Sequence, residues 1–260
     1  MRLTTVGTGT AAPSPSRVNA GHLVEAGEVR LLLDCGSGVV HRMASLGLPW
    51  SDLTHVALTH FHADHVSDLA TLFVAWRYGQ LPPRSAPVTL LGPPGTAALL
   101  DRLAAALWKD LPAPGYPVHV VELPPGGPAV ELASGVRLSA TKVPHTEESV
   151  AYCLERGGRR LVYTGDTGYD PALAAWASGC DVLLCECSLP ADMAMATHLT
   201  PEECGALAAI ARPRLLALTH FYPPVERIDV RAAVAARFPG PVALAIDGWS
   251  TEIEDSGCWS

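Results

Sequence analysis

The feature that most constrains this chain is the segment Thr59-His60-Phe61-His62-Ala63-Asp64-His65, in which four metal-binding side chains fall within six residues. It follows the apolar run 55–58, which we predict to be a buried strand, and it precedes a helical pattern. Side chains placed where a strand ends and a helix begins face the edge of the sheet at which α/β proteins bind ligands. Imidazole and carboxylate groups together suit zinc, manganese or iron. The segment predicts a metal site, whereas solvated turn histidines would explain only one or two of these residues.

A second feature is a repeat, because Ala57-Leu58-Thr59-His60-Phe61 recurs unchanged as Ala217-Leu218-Thr219-His220-Phe221. Each copy is a short apolar strand that ends in a histidine. The identity is either a coincidence in a chain rich in Ala and Leu or a sign of two halves that point at one site. Both interpretations stay open at this point.

Two further metal-binding side chains lie between the copies. His145 ends the extended segment 143–145, and Asp166 follows the strand pattern 161–164 at a glycine turn. The histidines at 22, 41, 55 and 119 lack such a strand-end position. We predict that these four are structural or surface residues.

The order of these motifs is H-x-H-x-D-H, a single His, G-D-T and a single His. This order resembles the metallo-β-lactamase superfamily, and within it the ribonuclease Z-like branch of phosphodiesterases. The resemblance covers nearly the whole chain. It includes four further segments that are similar to that branch: the glycine turn 6–13, the strand Leu32-Leu33-Asp34-Cys35-Gly36, the glutamate loop Leu184-Cys185-Glu186-Cys187-Ser188 and the late histidine in His198-Leu199-Thr200.

The resemblance implies that two divalent metal ions are cofactors, with Zn²⁺ preferred and Mn²⁺ or Fe as alternatives. Asp166 would bridge the two ions. The remaining ligands would be His60, His62 and His145 for one ion, and Asp64, His65 and His220 for the other.

The same resemblance implies catalytic roles for three residues. Asp64 would also orient or deprotonate the attacking water. His198 would donate a proton to the leaving alkoxide, and Glu186 would support His198. Asp34 is expected to hydrogen-bond a ligand histidine, the alternative being a helix or turn cap.

Length and composition agree with one domain over residues 1–260, which is long enough for a sizeable core. No apolar run reaches the roughly 18 residues of a membrane span, and strand 2–8 begins at once, so we expect no signal peptide. The cysteines number seven, an odd count that favours reduced thiols and a cytoplasmic location. Cys185 and Cys187 could bind metal, but burial is the preferred interpretation. A homodimer is left open.

Two predicted sheets with helices outside them give a four-layer αββα sandwich. We predict strands at 2–8, 19–25, 29–34, 55–59 and 88–91, and a second sheet that begins with 118–123, 129–133, 136–143, 150–155 and 160–164. Later strands are predicted at 181–185, 214–219 and 241–246. Helices are predicted at about 38–46, 66–78, 96–108, 170–177 and 228–237, and from Thr200, where a cap, Pro201 and acidic residues signal a helix start.

Departures from ribonuclease Z bear on the substrate. Those enzymes carry an arm that grips tRNA, inserted between the single histidine and the G-D-T aspartate. Here 21 residues separate His145 from Asp166, which is enough only for a hairpin turning at 156–159. Three of their conserved segments, D-C-G-E-G-T-Q, H-E-A-T and the basic P-x-K-x-R-N, are altered here at 34–40, 185–188 and 13–19.

Charge points the same way as these departures. The chain has 18 basic against 26 acidic side chains, a net charge of −8, whereas nucleic-acid binders usually show a basic patch. A small phosphodiester or another small ester is therefore favoured over a precursor tRNA. Tyr222 and either Arg77 or Tyr78 are candidates for the pocket, with packing as the alternative for each.

Three hypotheses follow. The leading one is a dinuclear metal-dependent hydrolase of small phosphodiesters. The second is another hydrolase of the same fold, either a lactonase, a thioesterase or ribonuclease Z itself; Glu186 and His198 argue against the first two. The third is a non-enzymatic carrier or sensor that binds metal or a small ligand, which a complete set of ligands disfavours.

Overall fold

The computed structural model describes residues 1–254, and within them two seven-stranded sheets face each other. In chain order the strands are β1 (Arg2–Gly7), β2 (Gly21–Ala26), β3 (Val29–Leu33), β4 (His55–Ala57), β5 (Val88–Gly92), β6 (Val118–Glu122), β7 (Val130–Ala133), β8 (Val136–Lys142), β9 (Val150–Arg156), β10 (Arg159–Tyr163), β11 (Val182–Glu186), β12 (Leu215–Thr219), β13 (Val242–Leu244) and β14 (Ser250–Glu252). The first sheet has the order β14-β1-β2-β3-β4-β5-β6, and the second has the order β13-β12-β11-β10-β9-β8-β7.

The helices cover the outer faces of the two sheets. They are α1 (Val39–Ser45), α2 (Ala63–Val66), α3 (Leu69–Tyr78), α4 (Thr96–Ala106), α5 (Pro171–Trp176), α6 (Pro201–Ala211) and α7 (Val230–Ala235), with short 3₁₀ turns at Trp50–Asp52, Ala191–Met193 and Val225–Arg227. Nowhere in residues 1–254 is a helix both long and apolar enough to cross a membrane.

Side chains that alternate along each strand build the layers. In β3, Leu31 and Leu33 lie in the core between the two sheets, whereas Leu32 packs on the other face with Phe73 and Trp76 of α3. A third apolar cluster joins the outer face of the second sheet to α5, α6 and α7. The layers are therefore helices, sheet, sheet and helices, which confirms the predicted αββα sandwich.

Parallel pairing brings the metal-binding residues to one end of the sandwich. Strands β3 to β6 are parallel in the first sheet, and β10 to β13 are parallel in the second. His60 follows β4, Asp166 follows β10 and His220 follows β12. The two copies of the repeat thus span the ends of strands in opposite sheets, and both deliver a histidine to the same place.

The prediction and the structure differ at three elements. Strand 118–123 was predicted in the second sheet, which is wrong: β6 pairs with β5 in the first sheet, Val88 opposite Val118, because α4 makes a crossover between parallel neighbours. Strand β14 was not predicted; it pairs with β1 through Leu3 and Thr251. The helix predicted over 66–78 is divided into α2 and α3.

The connection between His145 and Asp166 contains the predicted hairpin. Arg156 of β9 pairs with Arg159 of β10, and the turn between them is Gly157-Gly158, with φ of 56° and 77°. Positive φ at both central positions is the geometry of a tight hairpin turn that favours glycine. Every residue from 145 to 166 is described, and none forms a protruding arm.

The cysteines within the described residues are buried. The six within residues 1–254 are free thiols, and Cys185 and Cys187 lie in the apolar cluster under α6. This position supports the preferred interpretation of these two thiols as packing residues. Cys258 lies outside the described residues.

Candidate active site

The first cluster of metal-binding side chains contains His60, His62 and His145, whose ligand atoms lie within 4.8 Å of one another. His60 follows β4, His62 begins α2 and His145 lies in the loop between β8 and β9. The Nε2 atom of His145 is 3.0 Å from Nδ1 of His62. His60 is buried and His62 is exposed, so this cluster opens to solvent on one side.

The second cluster contains Asp64, His65, Asp166 and His220, again with ligand atoms within 4.8 Å of one another. Asp64 and His65 lie in the single turn of α2, whereas Asp166 follows β10. His220 follows β12 with a left-handed φ of 58°, which turns its ring towards the cluster. Its Nε2 atom is 3.4 Å from Asp64 Oδ2.

Asp166 lies between the two clusters. Its Oδ2 atom faces the first cluster, 3.9 Å from His60 Nε2 and 3.8 Å from His145 Nε2. Its Oδ1 atom faces the second, 3.3 Å from His65 Nε2 and 3.4 Å from His220 Nε2. One carboxylate therefore presents one oxygen to each cluster.

The polar atoms at the centre of the clusters are buried without hydrogen-bond partners among residues 1–254. They are His60 Nε2, His65 Nε2, His220 Nε2 and Asp166 Oδ1. Buried polar groups are normally paired, so such a group of orphans needs a missing partner. Nitrogen lone pairs and a carboxylate converging on one point fit divalent cations.

In four of the five proposed ligand histidines the other ring nitrogen is already engaged, which fixes each of these rings. Their Nδ1 atoms lie near Thr59 Oγ1 (3.1 Å, His60), Asp34 Oδ2 (2.8 Å, His65), the Thr197 carbonyl oxygen (2.9 Å, His145) and Ser188 Oγ (3.0 Å, His220). With Nδ1 held in this way, Nε2 is the atom left to bind a cation.

Asp34 supports the site as the sequence predicted. It is fully buried with a φ of 58°, and its carboxylate accepts hydrogen bonds from His65 Nδ1 at 2.8 Å and from the Thr59 amide at 2.7 Å. The Tyr163 hydroxyl donates a third, at 2.8 Å. Tyr163 was missed because it comes from β10 of the opposite sheet, and an apolar strand pattern does not show which hydroxyl points across the core.

The charge states of His60, Asp64 and Asp166 suit cation binding. At His65, by contrast, burial is outweighed by the carboxylates of Asp166 and Asp34, which raise the pKa of His65 well above its ordinary value, so a bound cation would replace a proton there. Burial, with the nearby His65, lowers the pKa of His60 to about 2, so this ring is neutral at pH 7. Burial raises the pKa of Asp166, but the neighbouring His220 and His65 more than offset this and hold it well below its usual value. Burial opposes ionisation of Asp64 too, yet the neighbouring His220 and His65 bring its pKa to about 2. Neutral imidazole and anionic carboxylate are the forms that bind metals.

His198 and Glu186 form a pair beside both clusters. His198 Nδ1 is 3.1 Å from Glu186 Oε1, and its ring centroid is 4.9 Å from that of His145 and 6.0 Å from that of His220. Burial lowers the pKa of His198, but the hydrogen bond and charge of Glu186 more than compensate and raise it above its ordinary value. With Nδ1 donating to Glu186, Nε2 is free to hold a proton for a substrate.

The Glu186 carboxylate is held rigidly. It is fully buried and accepts hydrogen bonds from the Thr167 amide at 2.6 Å, from the Leu199 amide at 3.2 Å and from the Ser188 hydroxyl. Ser188 is a contact that sequence reasoning missed: the departure at 185–188 was visible, but not that this hydroxyl reaches His220.

His22 was predicted to be structural, and the structure places it closer to the site than expected. It is fully buried, its ring centroid is 4.9 Å from that of Tyr163, and neither ring nitrogen has a partner within the described part of the chain. Burial, together with the charges of His65 and His220, lowers its pKa to about 3. A histidine inside a strand gives no sequence signal of this proximity.

Of the candidate pocket residues, Tyr222 lies beside the site, whereas Arg77 and Tyr78 have other neighbours. The ring of Tyr222 lies 5.9 Å from that of His220 and 6.2 Å from that of His198, so it borders the site. The ring centroid of Tyr78 instead lies 5.7 Å from that of Trp108 and 5.6 Å from Cζ of Arg77. Tyr78 is 66% exposed, so these contacts neither place Arg77 and Tyr78 in the pocket nor make them core residues.

Two basic side chains, Lys142 and Arg17, form hydrogen bonds or ion pairs with other groups of the protein. Lys142 Nζ donates to the carbonyl oxygens of Val143 and Thr146 at 2.7 and 2.6 Å. Arg17 pairs with Glu226 at 2.6 Å and donates to Thr8 Oγ1 at 2.6 Å. Both side chains are thus already paired with groups of the protein.

Comparison with known proteins agrees with this geometry. The family model described as "Beta-lactamase superfamily domain" matches residues 29–221. Ribonuclease Z of Mycobacterium sp. (strain KMS) is 30% identical, over 99% of this chain and 98% of its own. The metallo-β-lactamase fold protein YhfI from Bacillus subtilis superposes with a TM-score of 0.81 at 24% identity, covering 96% of this chain and 98% of that one. The short form of human tRNase Z has a TM-score of 0.80 at 22% identity, covering 98% and 100%.

Proposed function

We propose that this chain, which belongs to the metallo-β-lactamase superfamily, is a dinuclear phosphodiesterase acting on small phosphodiesters. As a member of this family of hydrolases it is a metal-dependent hydrolase. The number of ions, their identity and the substrate class are our proposal. The observation that carries it is Asp166, which turns one oxygen to each of two clusters.

Two divalent ions fit the ligands. Asp166 would contact both ions, and zinc suits the histidine-rich donor set, with manganese or iron as alternatives. When bound, such ions supply Lewis acidity that makes a water more acidic and offsets charge on the phosphate oxygens. The remaining ligands would be His60, His62 and His145 on one side, and Asp64, His65 and His220 on the other.

The chain's own residues would handle the protons. Asp64, ionised at neutral pH, would orient the attacking water and accept its proton. His198 would give its Nε2 proton to the leaving alkoxide as the phosphorus–oxygen bond breaks. Glu186, hydrogen-bonded to His198 Nδ1, would keep that ring oriented and favour its protonated form.

A small substrate is supported by what surrounds the mouth. A tRNA grip needs many phosphate contacts, each adding affinity and salt dependence. Here the net charge is −8, Lys142 and Arg17 are engaged, and a two-residue turn stands where ribonuclease Z carries its arm.

A second candidate is a ribonuclease Z-type tRNA 3′ endonuclease. It is supported by 30% identity to a ribonuclease Z along essentially the whole of both chains. Thioester hydrolysis by the same fold has less support, because a leaving thiolate needs a proton much less than the alkoxide that the His198–Glu186 pair suits. Lactone hydrolysis also releases an alkoxide, so the substrate assay distinguishes it from phosphodiester hydrolysis.

A substrate panel tests the proposal. Zinc-loaded protein is assayed on bis(p-nitrophenyl) phosphate, an alkyl p-nitrophenyl phosphodiester, a phosphomonoester, a lactone, a thioester and a precursor tRNA at physiological salt. We expect hydrolysis of the diesters and weak or no cleavage of the tRNA. Efficient, site-specific cleavage of the tRNA would establish the second candidate instead. Activity confined to lactones or thioesters would overturn the proposed chemistry, and binding of metal without any hydrolysis would indicate a carrier or sensor.

A further inference from the structure

Ser188 lies where the proton-donor pair meets the second cluster. It follows β11 by two residues and is fully buried. Its Oγ atom hydrogen-bonds Glu186 and is 3.0 Å from His220 Nδ1, 3.3 Å from the His220 carbonyl oxygen and 3.5 Å from His198 Nδ1. One hydroxyl therefore touches the carboxylate and reaches a proposed metal ligand.

The hydroxyl has one proton to give, which orders these contacts. An ionised carboxylate is a stronger acceptor than a carbonyl oxygen, so Ser188 donates to Glu186. Its lone pairs can then only accept, and the closer of its two histidine partners is His220. His220 must therefore carry its proton on Nδ1 and donate it to Ser188.

This tautomer leaves the Nε2 lone pair of His220 facing the second cluster. That atom lies 3.4 Å from both Asp64 Oδ2 and Asp166 Oδ1 and has no hydrogen-bond partner in the described structure. A negative charge at the far end of such a chain strengthens a histidine as a metal ligand and fixes its ring. Glu186 thus orients two histidines: His198 through a direct hydrogen bond, and His220 through Ser188.

We infer that Ser188 is a positioning residue for the second metal ion, because it connects the Glu186 carboxylate to His220 and fixes the tautomer that binds metal. The inference rests on the proposed function, since it needs a metal in the second cluster. The inference gives Ser188 and His198 different roles. Loss of Ser188 weakens metal binding, whereas loss of His198 weakens proton donation.

The test compares Ser188→Ala, Ser188→Thr and Cys187→Ala. Zinc affinity is measured by competition with a chromogenic chelator, and folding of the metal-free proteins by circular dichroism. Ser188→Ala should fold, since the amides of Thr167 and Leu199 still hold Glu186. The affinity for the zinc ion of the second cluster should fall by roughly 10–100-fold, the usual effect of removing such a partner. Ser188→Thr keeps a hydroxyl and should recover most of that affinity.

Cys187→Ala is the matched control, because its thiol is equally buried in the same loop but lies in the apolar cluster under α6. It should change stability without changing zinc affinity. Turnover of Ser188→Ala should recover at saturating zinc, with its dependence on the leaving group unchanged. That last readout is one that His198→Ala would alter.

Three results would overturn the inference: Ser188→Ala binding zinc as tightly as the unmodified protein, Ser188→Thr failing to restore affinity although it folds, or Cys187→Ala losing zinc equally. A protein that binds a single zinc ion, with that affinity still dependent on Ser188, would instead contradict the dinuclear proposal and leave the role of Ser188 intact.

Discussion

At the scale of single residues, the site is a set of polar groups that are costly to bury alone. Leaving one buried donor or acceptor unsatisfied costs about 1–3 kcal/mol. Here three Nε2 atoms and one carboxylate oxygen are unsatisfied together, while the opposite nitrogen of each ring is held by a neighbour. Shared cations would satisfy all of these atoms at once, so the two proposed metal ions would account for the arrangement.

Asp166→Ala removes the one carboxylate that faces both clusters. We expect this variant to lose activity and metal occupancy together, measured by diesterase assay and elemental analysis of the same sample. Asp192→Ala changes an exposed aspartate outside the clusters and serves as the control, with both quantities unchanged. An Asp166→Ala protein that kept full activity would contradict the bridging role.

His198→Ala removes the proposed proton donor without removing a proposed ligand. It should retain its metals but lose turnover by roughly 10²–10⁴-fold on an alkyl leaving group, the usual scale of general-acid catalysis. The loss should shrink with nitrophenolate, which leaves without needing a proton. His119→Ala, at an exposed histidine, is the control. Loss of a metal ion from His198→Ala would show that this residue is a ligand.

Much of the site could be predicted at this scale because its residues lie in short motifs at the ends of strands. His60 and His220 were visible from a repeated pentapeptide, and Asp34 from the resemblance of the segment 32–36 to the ribonuclease Z-like branch. Ser188 and Tyr163 were not, because their contacts join residues far apart in the chain: Tyr163 reaches Asp34 across 129 positions. No local pattern carries that information.

At the scale of elements, the loop that carries His198 depends on the start of α6. Thr200 begins this helix with a capping box, in which its hydroxyl accepts from the Glu203 amide and the Glu203 side chain accepts from the Thr200 amide. Pro201 occupies the first helical position, where no amide hydrogen is needed. The helix start thus anchors the chain two residues after His198.

Thr200→Ala should therefore lower the free energy of unfolding by about 1 kcal/mol, the usual cost of losing such a cap. Urea denaturation measures this change, and Thr200→Ser, which keeps the hydroxyl, should retain most of the stability. If both variants lost the same stability, the buried methyl group rather than the cap would be responsible.

Strand pairing is the part of the fold that sequence patterns could not predict in full. An apolar run such as 118–123 indicates a strand, but its partner is set by the direction in which α4 crosses back, so its sheet could not be assigned. The three residues of β14 alternate too briefly to predict a strand, and they pair only because β1 offers an open edge. Long strands with a glycine turn, such as β9 and β10, were predictable because turn and pairing are local.

At the scale of the whole molecule, the proposed metal site takes its ligands from both sheets. Four of the proposed ligands lie in the segment that follows β4 of the first sheet and includes α2. The other three follow or connect strands of the second sheet: His145, Asp166 and His220. A ligand that binds only the folded state stabilises it. Metal binding would therefore hold the two halves of the sandwich together as well as supply chemistry.

The most direct test of this account is the number of metal ions per chain, measured by titrating the chelator-treated protein with zinc while following both bound metal and diesterase activity. The account predicts that binding saturates at two ions per chain and that full activity requires both. Saturation at one ion, or full activity in the metal-free protein, would contradict it.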